Sequence, residues 1–246
     1  NISKIISPIF NKIFHTKGNS CIAFLLSIIS GTPSSSFIIK EMLDKNQIDE
    51  EDANKLIKFT FFGSPLFLYN NLLCFLSKGT SIKIITVHYI ANVAIGFITR
   101  GKKGTNNIAN AKDEKSNNNI LILLPNAIKK SLDTLLIILG TIIFYMLLTN
   151  IIFNIFNIPL TISAIIKGLL EMTQGINSIS TLNINGIIKE IILLNIISFG
   201  GLAIHTQVLS IINDTKISYK NFFWGRLLHM LISTCTYLLI SLYSIS

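Results

Sequence analysis

Hydrophobic residues in this chain gather into continuous runs, and several runs are interrupted near their middle by small polar residues. The first extends from Cys21 to Ile39 and is broken by Ser30-Gly31-Thr32-Pro33-Ser34-Ser35-Ser36. Proline removes a backbone donor and clashes with the preceding turn, and glycine loosens the chain, so an unbroken helix has no use for such a stretch. Taken alone, the stretch fits equally well a loop at a membrane surface. Similar interruptions recur three more times. Phe59 to Leu76 is broken at Gly63-Ser64-Pro65, Ile162 to Met172 runs into Thr173-Gln174-Gly175, and Ile187 to Ile212 is broken at Ser198-Phe199-Gly200-Gly201.

Other runs are continuous. Ser81 to Thr99 carries His88 and Asn92 four residues apart, on one helical face. Thr134 to Phe156 reads as an ordinary spanning helix ended by Pro159, and Leu227 to Tyr243 as the last span, approached by Lys216, Lys220 and Arg226. Residues 1–19 carry a rough stripe (Ile5, Ile6, Ile9, Phe10, Ile13, Phe14) that fits an interfacial helix or the remnant of an earlier span. Lys40 to Lys58 is polar and acid-rich. There Asp49 reads as a helix cap with acids in the first turn, and the segment as a solvated helical connector in preference to a metal site.

Composition names the solvent. Half of the 246 residues are hydrophobic and only 13% are charged, against about 25% in soluble domains, and several runs approach the ~20 residues a helix needs to cross a bilayer. The predicted fold is an all-α polytopic membrane protein of about six to eight membrane helices; continuous Ile/Leu/Phe runs exclude the alternation of a membrane β-barrel. The net charge of +9 does not predict a nucleic-acid partner, because the lysines flank apolar runs. Arg100, Lys102, Lys103, Lys112 and Lys115, joined by Lys129 and Lys130, face only Asp113, Glu114 and Asp133, which places that linker in the cytoplasm. Cys21, Cys74 and Cys235 read as buried thiols without disulfide or metal spacing. The chain starts at Asn1 without a secretory signal and is expected to be a fragment lacking earlier membrane segments.

The interruptions also define an organisation. Residues 1–100 form a first half with broken segments near Gly31 and Gly63, residues 101–130 a basic linker, and residues 131–246 a second half with broken segments near Gly175 and Gly200. Each half reads as broken run, connector, broken run, span. Corresponding breaks in two pseudo-repeated halves with discontinuous helices are a sequence pointer to a transporter site, where half-helix ends aim backbone dipoles at a solute. Glu171 is the most informative side chain, since a carboxylate inside an apolar segment is rare and usually functional. It is expected to act with Thr173 and Gln174; a structural ion pair with Lys167, one turn earlier, is the alternative. His205 and Gln207 follow the double glycine and can hydrogen-bond a solute, whereas His88 and His229 fit helix packing better. No nucleophile–base set, Walker-type loop or metal spacing is present, so neither an enzyme nor a cofactor is expected.

The ordered motifs Ser30-Gly31-Thr32-Pro33, Phe62-Gly63-Ser64-Pro65-Leu66-Phe67, His88-Tyr89-Ile90-Ala91-Asn92 and Ser198-Phe199-Gly200-Gly201-Leu202-Ala203-Ile204-His205-Thr206-Gln207 resemble the YlbJ family of sporulation integral membrane proteins, within the nucleoside-recognition or gate domain superfamily. The resemblance covers about Ser20 to Tyr243. After the proline, Ser34-Ser35-Ser36 stand where that family usually has Gly and a small residue. The resemblance implies a protein of the bacterial cytoplasmic membrane made during endospore formation, associated with the outer forespore membrane and with supplying dipicolinate. The expected function is a transporter or permease for a small anionic solute. The expected site comprises Ser30, Gly31, Thr32, Ser34 and Ser35 at the first break, Gly63 and Ser64 at the second, Glu171, Thr173, Gln174 and Gly175 at the third, and Gly200, Gly201, His205 and Gln207 at the fourth. A scaffold of a sporulation complex and a nucleoside transporter are the alternatives. The expected partners are the solute and the bilayer, with a coupling ion and a homo-oligomer left open.

Overall fold

The computed structural model describes residues 2–101 and 120–243, so most of the basic linker lies outside the described residues. Within them the chain is helical and no strand occurs. The first half comprises α1 (Ile2–Phe14), α2 (Ser20–Ser30), α3 (Ser34–Asp44), α4 (Glu50–Phe59), α5 (Pro65–Leu73) and α6 (Lys78–Ile98). The second comprises α7 (Ile120–Ile155), α8 (Leu160–Leu170), α9 (Met172–Ser180), α10 (Gly186–Phe199), α11 (Gly201–Ile212) and α12 (Tyr219–Tyr243).

Local chemistry sets several helix starts. Asp49 accepts from Asp52 N at 2.8 Å and opens α4 with three acids in its first turn, matching the positive end of the helix dipole. Ser64 caps α5 ahead of Pro65 at its first position, Ser77 caps α6, and Asn185 caps α10.

Ion pairs gather at one end of the molecule. Lys17–Asp49 (3.0 Å), Lys45–Glu41 (2.7 Å), Lys130–Glu41 (2.8 Å) and Lys40–Asp214 (2.5 Å) join the approach to α2, the end of α3, the start of α4, the early turns of α7 and the end of α11. At the far end Lys83 Nζ donates to Ser241 Oγ at 2.7 Å and Lys189 Nζ to Ser180 O at 3.0 Å. The chain directions follow. α2 runs inward from the charged end and α3 returns to it, while α8 and α9 make the same excursion from the far end. α4–α5 and α10–α11 cross the molecule in opposite senses.

Among the described residues four stretches are long and apolar enough to cross a membrane: Lys78–Ile98, Leu124–Ile155, Gly186–Ile212 and Tyr219–Leu242. The remaining helices, α1 to α5, α8 and α9, are each too short to cross alone, so the expected six to eight membrane helices would have to include broken segments. Leu136, Leu147, Leu239 and Trp224 stand exposed along these spans, as side chains facing lipid do. The protein is therefore integral to a membrane. α7 starts well before Thr134; its 36 residues reach about 54 Å at 1.5 Å per residue, longer than the ~30 Å hydrocarbon core.

One expectation for the first half changes. The segment before Phe59 is not a solvated connector, since Ala53, Leu56, Ile57 and Phe59 of α4 are buried in the core. α1 docks on that core, with Phe14 stacked 5.1 Å from Phe59 and Phe10 5.2 Å from Phe24, while Ile5 and Ile9 remain exposed. α12 crosses α4 so closely that a Cβ on Gly225 would lie 2.4 Å from the Lys58 carbonyl oxygen. Gly225→Ala is expected to lower stability by about 1–3 kcal/mol through overpacking, read as a depressed Tm in detergent.

Asp52 of α4, at the charged end, is buried and accepts from Lys17 N at 2.6 Å and Ser20 Oγ at 3.3 Å, with Lys55 Nζ 3.9 Å away. Burial raises its carboxyl to about 6, against the lowering pull of the Lys17 amide, Lys55 and Lys17 and with the help of Asp49. The folded form thus holds this proton more tightly than the unfolded chain, and the resulting stabilisation is lost as pH rises through about 6. The Tm of the wild type relative to Asp52→Asn is expected to rise as pH is lowered from about 7.5 to about 5; a pH-independent difference would contradict this.

Candidate functional site

Each interruption leaves peptide groups outside a helix, and each is met by a specific partner. At the first, α2 stops at Ser30 and Gly31 takes φ +72°. Thr32 N donates to Phe62 O at 2.9 Å, joined by the Thr32 hydroxyl at 3.2 Å. A Cβ on Gly31 would lie 2.8 Å from Ser64 N, so close approach of the second break, as well as φ, demands glycine.

The second break is served by one face of α6. Asn92 Nδ2 donates to Phe61 O at 2.7 Å, His88 Nε2 accepts from Gly63 N at 3.1 Å, and the Tyr89 hydroxyl donates to Gly63 O at 2.9 Å. The third break falls at Glu171, which is extended (φ −143°, ψ 122°) and 3% exposed. Its carboxylate accepts from Thr173 N at 3.0 Å, Gln174 N at 2.9 Å and the Thr173 hydroxyl, capping α9. The ion pair with Lys167 does not form, because the extended residue breaks the helical register between them; Lys167 Nζ lies 5.2 Å from the Phe153 ring. Gly175, expected at the break, sits inside α9. It is needed there for packing, since its Cβ would fall 2.1 Å from Gly168 Cα.

At the fourth break Gly200 and Gly201 take φ +89° and +74°. His205 Nε2 faces Phe199 O at 3.2 Å, which makes it the donor, and its Nδ1 then accepts from the Tyr219 hydroxyl at 2.8 Å. A Cβ on Gly201 would lie 3.0 Å from Met172 N, and one on Gly200 2.6 Å from the Phe61 ring. First break touches second, third touches fourth, and second touches fourth.

Together they enclose a cavity of about 230 Å³, smaller than the ~300–1,000 Å³ of drug-sized pockets. Ser30, Thr32, Gly63, Ser64, Glu171, Thr173 and Gln207, all predicted from the sequence, line it. Gly31, Gly200 and Gly201 shape the backbone around it. Ser34 lines a neighbouring crevice, Ser35 is buried, and Gln174 contributes its amide to Glu171. Both His205 nitrogens are engaged in holding the fourth break, so His205 does not line the cavity. Gln207 donates to Thr141 Oγ1 at 2.7 Å, tying α11 to α7, whose Ile138 and Ile142 form the opposite wall. The Ser30 hydroxyl makes no hydrogen bond among the described residues.

The cavity meets the N-terminal ends of α3, α5, α9 and α11, the positive ends of their dipoles. α5 and α9 are capped by their own side chains, whereas α3 and α11 have no side-chain cap. Among the described residues no cluster of three metal-ligating side chains occurs.

The sequence reading missed Arg226, assigned there to a basic approach. It is fully buried: Nη2 donates to Lys58 O at 2.7 Å, Nη1 donates to His229 Nδ1 at 3.0 Å, and Cζ lies 3.9 Å from the Phe61 ring centroid. No carboxylate pairs with it among the described residues. The available signal was its i, i+3 spacing to His229 inside a helix-length apolar run.

Two substitutions test this arrangement. Glu171→Ala removes the cap of α9 and is expected to cost about 1–2 kcal/mol, with Glu171→Gln costing less because its oxygen still accepts an amide bond. Gly201→Ala is expected to destabilise at least as much as Glu171→Ala, by strain at positive φ and by pressing on Met172 N. Thermal unfolding of the three variants checks both; unchanged Tm for Gly201→Ala would contradict the contact.

The chain is 24% identical over 265 residues to the sporulation integral membrane protein YlbJ of Bacillus subtilis (strain 168), an alignment covering 92% of this chain and 65% of that protein. It thus spans less than two thirds of its relative's length. No family model matches the chain, and no solved structure matches it. With the four membrane-crossing stretches, this likeness describes a YlbJ-like integral membrane protein.

Proposed function

We propose that the cavity is the solute site of a membrane transporter or permease for a small anion. The observation that carries this is the convergence of all four chain breaks on one cavity, with helix N-termini at its wall. Unwound backbone inside a bilayer is tolerated where it lines a cavity, and discontinuous helices facing a midplane site are how many transporters are built. The order of elements adds support. An excursion, a broken crossing and an unbroken crossing follow one another in each half, entered from opposite ends, as inverted repeats would be.

The charge preference follows from the dipoles. The start of α11, which has no side-chain cap, meets the cavity with the positive end of its dipole, and Arg226 adds a positive charge behind Phe61. Glu171 occupies the amides of α9 itself, which makes it the group through which a coupling proton or cation would act. The relative's name refers to sporulation, and the sequence resemblance implies dipicolinate movement toward the forespore. Dipicolinate, a small dicarboxylate, is therefore the solute proposed, with the outer forespore membrane as the site of action.

Ligand-induced thermal stabilisation of the purified protein, paired with flux into proteoliposomes, tests this. Dipicolinate is expected to stabilise the protein and to cross. Ser30→Ala, which removes the hydroxyl of a cavity-lining residue, is expected to weaken binding about tenfold, the worth of one hydrogen bond to a charged group. Stabilisation by nucleosides instead would overturn the anion assignment. No stabilisation and no flux with either would overturn transport.

A further inference from the structure

A second, larger crevice of about 970 Å³ lies between α3 and α7 at the charged end. Lys45, just past the end of α3, and Lys129 and Lys130 of α7 line it, against Glu41 and Asp133, leaving an excess of positive charge. Deeper in, its walls turn apolar and reach Ile138. Ile138 also lines the inner cavity. On the opposite wall the boundary falls within one peptide, with Pro33 lining the cavity and Ser34 the crevice. Crevice and cavity are thus consecutive compartments along α7, separated at Ile138.

The geometry points to this crevice as the route by which a small water-borne anion reaches the cavity from the charged end, with Ile138 as the constriction that decides passage. The inference rests on the cavity being a solute site, and it adds the route and the residue that controls it. Electrostatics favour the assignment, because lysines at a mouth concentrate anions ahead of a narrow passage. The walls are also loosely joined there. Lys130–Glu41 at 2.8 Å bridges α3 and α7 at the mouth between partly exposed side chains, a pair of the kind worth about 0–1 kcal/mol, while Thr141–Gln207 and Tyr145–Thr206 hold the deeper part of α7 to α11. α7 supplies a ready ruler, since Thr134, Ile138 and Ile142 follow at four-residue spacing on one face and line the crevice, the boundary and the cavity.

Cysteine labelling on the full chain tests the route without any transported solute. With Cys21, Cys74 and Cys235 replaced, Thr134→Cys and Ile142→Cys are each reconstituted and treated with a charged, membrane-impermeant methanethiosulfonate reagent from the charged end. Both variants are expected to react. Adding Ile138→Trp is expected to abolish reaction of the Ile142→Cys variant while leaving the Thr134→Cys variant reactive. Unchanged labelling of Ile142→Cys behind the tryptophan would overturn the route. So would failure of Thr134→Cys to react with the charged reagent while an apolar maleimide labels it, which would mark the crevice as filled by lipid. Labelling that follows the expected pattern without flux of any solute would leave the route standing and remove transport; flux with labelling blind to Ile138→Trp would do the reverse.

Discussion

A peptide group that leaves its helix inside a bilayer must find its hydrogen bond in another part of the protein. This constraint accounts for several of the polar side chains gathered at the breaks. Asn92, His88 and Tyr89 satisfy Phe61 O, Gly63 N and Gly63 O at the second break. Arg226 takes the Lys58 carbonyl just before it, His205 takes Phe199 O at the fourth, and Glu171 receives the amides after the third. The polar residues are the partners that let the helices break, and the breaks in turn shape the cavity.

The same constraint orders the packing. Breaks can be exposed to one another only if their backbones approach closely, and that is where glycine is indispensable: Gly31 against Ser64 N and Gly201 against Met172 N. Arg226 shows how far the demand reaches. Its burial without a carboxylate is costly, and the carbonyl of Lys58, the imidazole of His229 and the face of Phe61 are what offset that cost.

Much of this was legible in the sequence, and the exceptions are instructive. Breaks at Gly31, Gly63 and Gly200 could be read because positive φ, or proline after a small residue, has a composition of its own. The third break could not be placed to the residue, because Glu171 is extended at a negative φ that any residue adopts, while Gly175, the apparent marker, serves a helix contact with Gly168. Asp52 and Arg226 were read as solvent-facing charges because sequence alone does not show which backbone groups elsewhere need them. His205 was placed in the solute site for the same reason. Its spacing from the double glycine was visible, but the carbonyl it serves, six residues earlier, was not.

The central claim is that the convergence of breaks creates a hydrated site inside the membrane. Spin labels at Ser64 and Thr173, with Leu147 as a lipid-facing reference, would test it in reconstituted bilayers through their collision rates with a water-soluble nickel chelate and with oxygen. The account expects chelate-rich, oxygen-poor behaviour at Ser64 and Thr173 and the opposite at Leu147. Labels at all three positions behaving alike, rich in oxygen and shielded from the chelate, would contradict it.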